Sequence, residues 1–281
     1  MSSSYFREEL KTFLGSNFSF KIIYNTSNGA LVSPLTNRIL VLDSSFNPPH
    51  RAHCSLVVKS ALFKFPSQNE FSVSTINTKS VLLLLSLNNA DKKQADLSSY
   101  VHRLEMVKLL AGHISDDYGL ACAIGLTDKS LFVDKMHAIG EGLKREFPTR
   151  YNAINMTFLL GFDTLVRLLD SKYYEGNSLE ETLGPFFDRS SCFVLSRDGK
   201  EYSQQYQKEY VEKIRSGKFD GQIPPSWADH IFIVSGDDSL LSVSSSEVRA
   251  LAGKGDDNWE RYTFADIAEY IKSKGLYRAD D

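Results

Sequence analysis

Arg38-Ile-Leu-Val-Leu42 runs directly into Asp43-Ser44-Ser45-Phe46-Asn47-Pro48-Pro49-His50-Arg51-Ala52-His53, after which Leu56, Val57, Ser60 and Phe63 continue at helical spacing. A short apolar run, a polar turn and a helical pattern together form the first half of a strand-helix-strand unit. Two prolines set the geometry of the turn. Pro48 disfavours a helical Asn47, and a proline is tolerated in the first turn of a helix, where the N–H it lacks would have no partner. The spacing predicts a helix that begins close to Pro49, with His50 and His53 three residues apart on one face of its first turn. Unpaired backbone N–H groups and the positive end of the helix dipole favour an anion there. Two imidazoles in that position can donate hydrogen bonds to phosphate oxygens. Taken alone, a His-x-x-His spacing describes surface histidines or half of a metal site equally well. Zinc is disfavoured, because no supporting Cys or His-Glu-x-x-His pattern accompanies it.

Working outward, the β-branched and apolar runs at 81–85, 120–125, 156–160, 192–195 and 231–234 alternate with longer helical patterns. The fold class expected is α/β, a single-domain parallel sheet with helices on both faces. Tyr5, Phe6, Leu10, Phe13 and Leu14 fall on a helical stripe, so residues 1–37 read as an N-terminal helical extension packed on the core. Residues 38–281 form the main domain. Within it the polar stretch 201–225, with Tyr206, Tyr210 and Ile214 at helical spacing, reads as a surface insertion. Phe264, Ile267, Ala268 and Ile271 supply a last apolar helical face.

The 281 residues and 42% hydrophobic content are ample for a buried core. Thirty-two basic against thirty-five acidic residues give a net charge of -3, which argues against electrostatic capture of nucleic acid or of an anionic membrane. A phosphate ligand must therefore be held by a local positive site. The opening stretch mixes charges with apolar residues and does not read as a secretory signal, and the apolar run at 81–85 is too short to span a bilayer. Cys54, Cys122 and Cys192 are scattered, as expected of reduced thiols in a cytoplasmic or nuclear protein. No motif sets an oligomeric state.

Ser-Phe-Asn-Pro-Pro-His-x-x-His after a strand resembles the signature of Rossmann-like nucleotidyltransferases. In particular it resembles the Gly-Ser-Phe-Asn-Pro-x-His-x-Gly-His form of nicotinamide/nicotinate mononucleotide adenylyltransferases, with Ser44 and Ala52 in place of the family's glycines. Three later stretches follow the family's order. Asn88-Asn89-Ala90-Asp91-Lys92-Lys93, before the helix bearing His102, Arg103 and Met106, resembles its lysine loop, which implies that Lys92 or Lys93 faces the mononucleotide phosphate; a solvated turn is the plainer alternative. Leu159-Leu160-Gly161-Phe162-Asp163 resembles its Gly-x-Asp turn. The implied role for Asp163 is to hold ribose hydroxyls while Gly161 leaves room for adenosine, and capping of the next helix is the alternative. Ser244-Ser245-Ser246-Glu247-Val248-Arg249 has capping-box spacing and resembles the family's Ser-Ser-Thr-x-Ile-Arg, which implies that Ser245 and Arg249 hold the ATP β- and γ-phosphates. The closing Tyr270-Ile271 and Leu276-Tyr277 agree as well.

The resemblance implies transfer of AMP from ATP to nicotinamide or nicotinate mononucleotide, with pyrophosphate leaving by direct in-line displacement. His50, His53 and Arg249 are the expected catalytic groups. ATP would lie against Ser45, Phe46, His50, His53, Gly161, Asp163, Ser245 and Arg249. The mononucleotide would lie against Ser44, Ser45, Phe46, Lys92 or Lys93, Met136 and Tyr173 or Tyr174, the last ones standing where the family stacks tryptophans on the pyridine ring. Magnesium is expected on the ATP phosphates, with no dedicated protein ligands. The rival readings are a cytidylyltransferase or another adenylyltransferase of the superfamily, favoured by Met136, and a nucleotide-binding chaperone or regulatory protein without transfer activity, favoured by Ser44 and Ala52.

Overall fold

A computed structural model describes residues 3–66, 78–87, 97–174, 177–196, 201–219, 222–236 and 243–278. Seven strands form one sheet: β1 (Phe20–Asn25), β2 (Arg38–Asp43), β3 (Lys79–Ser86), β4 (Ala121–Thr127), β5 (Asn155–Leu160), β6 (Ser190–Ser196) and β7 (Ile231–Ser235). Their spatial order is β1-β4-β3-β2-β5-β6-β7. The six strands from β2 to β7 pair in parallel, and β1 runs antiparallel on the outer side of β4. Without β1 the order is that of the doubly wound nucleotide-binding sheet. The strand order reverses between β2 and β5, where β3 lies to one side of β2 and β5 to the other.

Parallel strands buried on both faces need apolar residues at every position, and alternate residues must serve opposite cores. In β2, Leu40 and Leu42 join one core, while Ile39 and Val41 join the other; in β3, Val81, Leu83 and Leu85 face Leu82 and Leu84 in the same way. The first core is covered by α1 (Ser3–Leu14), α2 (Arg51–Leu62), α3 (Leu97–Tyr118), α8 (Ser245–Gly253) and α9 (Ala265–Lys274). The second is covered by α4 (Phe132–Glu146), α5 (Phe162–Leu168), α6 (Leu179–Arg189) and α7 (Gln204–Arg215). Burying one large aliphatic or aromatic side chain is worth roughly 1.5–3 kcal/mol, so these two layers dominate the stability.

The expected strands all appear, extended by one or two residues at most of their ends. The N-terminal extension holds more than a helix. Phe6, Leu10 and Phe13 of α1 are buried in the first core, as their stripe requires. After them Phe20-Lys-Ile-Ile-Tyr-Asn25 adds β1 to the sheet edge, with Tyr5 Oη donating to the carbonyl of Ile23. The 201–225 stretch contains α7, whose Tyr210 and Ile214 are buried in the second core. It supplies the helical crossover that two adjacent parallel strands, β6 and β7, require. No helix among the described residues is long and apolar enough to cross a membrane.

Candidate active site

The turn after β2 is held by residues from the far end of the chain. Ser245 Oγ donates to the carbonyl of Pro48 at 2.9 Å, Arg249 Nη1 to the carbonyl of Asn47, and Thr263 Oγ1 to the carbonyl of Pro49 at 3.0 Å. Tyr277 Oη donates to Asn47 Oδ1 at 2.7 Å. The Asn47-Pro48 peptide is cis. With three successive carbonyls taken by these side chains, His50 is extended (φ -145°, ψ 172°) and α2 begins at Arg51. The helix therefore starts two residues after the position that the proline rule predicts, and His50 is its N-cap rather than a member of its first turn.

That shift joins the two histidines directly. His53 Nδ1 accepts the backbone N–H of His50 at 3.1 Å, and the backbone N–H of His53 donates to the His50 carbonyl at 3.0 Å. A ring nitrogen that accepts carries no proton, so neutral His53 holds its proton on Nε2, which lies 3.0 Å from Ser44 Oγ. Phe46 stands behind the His53 ring at 5.3 Å, and the His50 ring lies 3.8 Å in front of it. The Phe46 side chain is fully buried, and its backbone takes a left-handed φ of 46°. Phe46 is thus a wall for His53, and any contact it makes with a ligand is through its backbone.

Ser44 is the acceptor that orients this imidazole. Across the sheet, Gly161 is the N-cap of α5, and Asp163 sits in that helix's first turn with its carboxylate exposed, 3.3 Å from Arg167. A Cβ on Gly161 would lie 2.8 Å from Asp163 Oδ1, so this glycine is what lets the carboxylate fold back. Ser244 caps α8 by accepting from the N–H of Glu247 at 3.2 Å, as its capping-box spacing predicts. A cleft of about 270 Å³ lies between these elements. Asp43, Ser44, His50, Ala52, His53, Gly161, Asp163, Thr164, Ser244 and Ser245 contribute to its walls. It opens at the carboxyl ends of β2 and β5, the place where the strand order reverses and ligands of such sheets bind.

No protein-family profile matches the chain. A protein of Schizosaccharomyces pombe named "Putative nicotinamide mononucleotide adenylyltransferase" is 32% identical over 243 residues, spanning 85% of this chain and 86% of its own. The chain belongs to the nicotinamide mononucleotide adenylyltransferase family. Two solved structures of Plasmodium falciparum nicotinic acid mononucleotide adenylyltransferase, one complexed with NaAD and one with APC, share the fold. Their TM-scores are 0.51 and 0.50 at 15% identity, over 86% of this chain and 97% of theirs.

In this adenylyltransferase the cleft walls include Ser44, His50, His53, Gly161, Asp163 and Ser245 of the expected residues, and the others lie elsewhere or outside the described residues. Ser45 is half-buried in the turn beside Ser44, outside the cleft walls. Arg249 is half-buried beside the cleft, engaged with Asn47 and with Ser246 Oγ at 3.1 Å. Met136 and Tyr174 are buried in the second core, away from the cleft walls, with the Tyr174 hydroxyl donating to the Leu168 carbonyl at 2.7 Å. Tyr173 packs against the same core. Packing consumes these side chains: Met136 lies on the stripe that α4 turns to the sheet, while the two tyrosines fold back from the turn after α5. Lys92 and Lys93 lie outside the described residues. Arg103 donates to Ser99 Oγ at 3.1 Å and lies over the Tyr100 ring, a structural role within α3.

Sequence reasoning missed one charged member of the site. Asp43, the last residue of β2, pairs with Lys135 of α4 at 2.6 Å, and both side chains are buried. Lys135 resembles any polar residue of an amphipathic helix, and only the fold brings it to Asp43.

Proposed function

We propose that this chain joins the AMP part of ATP to nicotinamide or nicotinate mononucleotide in a single cleft, releasing pyrophosphate. The observation that carries the reading is the convergence of His50, His53, Gly161, Asp163 and Ser245 on one cleft in a chain of this family. A phosphate oxygen of the mononucleotide attacks the α-phosphorus of ATP in line. The bond from that phosphorus to the bridging oxygen breaks, and pyrophosphate leaves with the electron pair. No covalent enzyme intermediate is needed, so the protein's task is to position and to offset charge.

His53 is suited to that task because its proton is committed to Nε2 and can swing from Ser44 Oγ to a phosphate oxygen. His50, at the start of α2, presents its ring to the same cleft, where the helix's first N–H groups add positive potential. Ser245 and Arg249 hold the β- and γ-phosphates, and Asp163 receives the ribose hydroxyls. The walls offer hydroxyls and imidazoles, and the one deeply set carboxylate, Asp43, is tied to Lys135. That donor set fits a magnesium ion held by the ATP phosphates and water, where it would neutralise charge on the departing pyrophosphate. The three cysteines are free and buried, which suits a reducing setting, cytosol or nucleus.

The test is incubation with ATP and magnesium plus either mononucleotide, with dinucleotide and pyrophosphate measured together. Formation of both, at a rate abolished by EDTA, is the expected result. Pyrophosphate release only with a different acceptor, or ATP binding without turnover, would replace this reading with one of its rivals.

A further inference from the structure

Asp43 and Lys135 meet in the wall of the cleft. The carboxylate closes β2 immediately before Ser44, and the ammonium reaches it from the first turn of α4, at 2.6 Å, with only 6% of the Lys135 side chain and 11% of the Asp43 side chain exposed. Lys135 Nζ also lies 5.0 Å from the centre of the Phe132 ring, so its surroundings are aromatic and dry. Two observations make this pair more than a structural tie. Asp43 lines the cleft beside Ser44 and His53, and its charge therefore acts on whatever the cleft holds. The ligand itself, on the adenylyl-transfer reading on which this inference rests, is a polyanion. A bare carboxylate in a partly buried wall repels such a ligand several-fold more strongly than it would in bulk water.

On these grounds we infer that Lys135 is a positioning residue for the nucleotide, cancelling the Asp43 charge so that the wall around Ser44 and His53 accepts a triphosphate. The pair sets the electrostatics of the cleft and takes no part in bond making. Its effect belongs to binding rather than to the chemical step. Substitutions at Lys135 should therefore act through Asp43, and removing the Asp43 charge should undo them.

The experiment is calorimetric titration of ATP with magnesium into the full chain, compared across wild type, Lys135→Met, Lys135→Arg, Asp43→Asn and the double variant Asp43→Asn/Lys135→Met. Lys135→Met should weaken ATP binding by about 10- to 100-fold, and raise KM for ATP with little change in kcat. Lys135→Arg keeps the charge and should stay within about threefold of wild type. The double variant buries no charge and should return to within about threefold of wild type. Asp43→Asn alone leaves Lys135 unopposed and should bind ATP more tightly. Wild-type affinity in Lys135→Met overturns the inference, and so does equal loss in Lys135→Met and the double variant, which marks a packing defect. If Lys135→Met does not fold, Asp43→Asn decides: tighter binding supports the inference, equal or weaker binding overturns it. Failure of wild type to bind ATP would take down the adenylyl-transfer reading and this inference together, whereas wild-type binding that is indifferent to Lys135 sinks the inference alone.

Discussion

His53 Nδ1 accepts the backbone N–H of His50, and this one bond settles both the tautomer of an imidazole in the cleft and the start of the helix that carries it. Replacing His53 by Ala removes the proposed phosphate donor and a helix cap at once. We expect kcat to fall by roughly two to three orders of magnitude, the scale of losing one oxyanion donor. The lost cap should cost about 1 kcal/mol, seen as a small fall in Tm. Turnover within a few-fold of wild type would remove His53 from the mechanism.

Ser44 is the partner of His53 Nε2 at 3.0 Å. Ser44→Gly restores the residue the family carries but frees the imidazole to rotate. The expected outcome is a loss in kcat of about tenfold, since a loosely held donor is less well aligned in the transition state. Steady-state kinetics check this, and an increase in kcat would show that the serine hinders the imidazole instead.

Gly161 has an ordinary helical-entry backbone, φ -76° and ψ 156°, so alanine there is not strained. Its added Cβ would still lie 2.8 Å from Asp163 Oδ1. Gly161→Ala should push that carboxylate off the cleft and raise KM for ATP by about tenfold, with Tm nearly unchanged, as loss of one hydrogen-bonding position implies. An Asp163→Asn variant with the same KM would place both effects on the same contact.

At the amino ends of the central strands, away from the cleft, Lys79 opens β3 next to Arg38, its register partner on β2. Its Nζ donates to the carbonyls of Ala61 and Phe63 at the end of α2, at 2.6 Å each. Burial, and then Arg38, lower its ammonium to about 8. The folded chain therefore gives up this proton near pH 8, whereas the unfolded chain keeps it to near 10.5. Between these values the unfolded state binds more protons, and raising the pH favours folding. Below pH 8 both states are protonated and the full penalty remains. Thermal melts should show the Tm of wild type rising relative to that of Lys79→Met by a few degrees across this window. A constant difference would show that Lys79 keeps its proton.

The sheet was legible because its central strands are buried on both sides, which forces unbroken apolar runs such as Val81 to Leu85. β1 was not: Phe20-Lys-Ile-Ile-Tyr-Asn25 is a half-buried edge strand inside a stretch already assigned to a helical extension, and it lacks the long apolar run of its neighbours. The histidine turn, the Gly161-Asp163 turn and the Ser244 cap could be read locally, since each depends on neighbours within a few residues. Lys135 could not, because its partner lies 92 residues away and its role depends on which face α4 turns to β2. The same rotation explains Met136, while Tyr174 is held in the second core by the turn after α5, where its hydroxyl bonds the Leu168 carbonyl. Their alignment with the family's tryptophans gives a position in the chain, while burial in the second core is decided by packing.

The side chains that anchor the Asn47–Pro49 stretch lie 197, 202, 214 and 230 residues further along the chain. Fragments that stop short of Ser245 keep every strand yet lose all four anchors. During synthesis, then, the ribosome completes the sheet before it delivers the residues that anchor this turn. A product ended before Ser245 lacks every side chain that reaches back to the Asn47–Pro49 carbonyls, so the turn takes this form only once the last helices are in place.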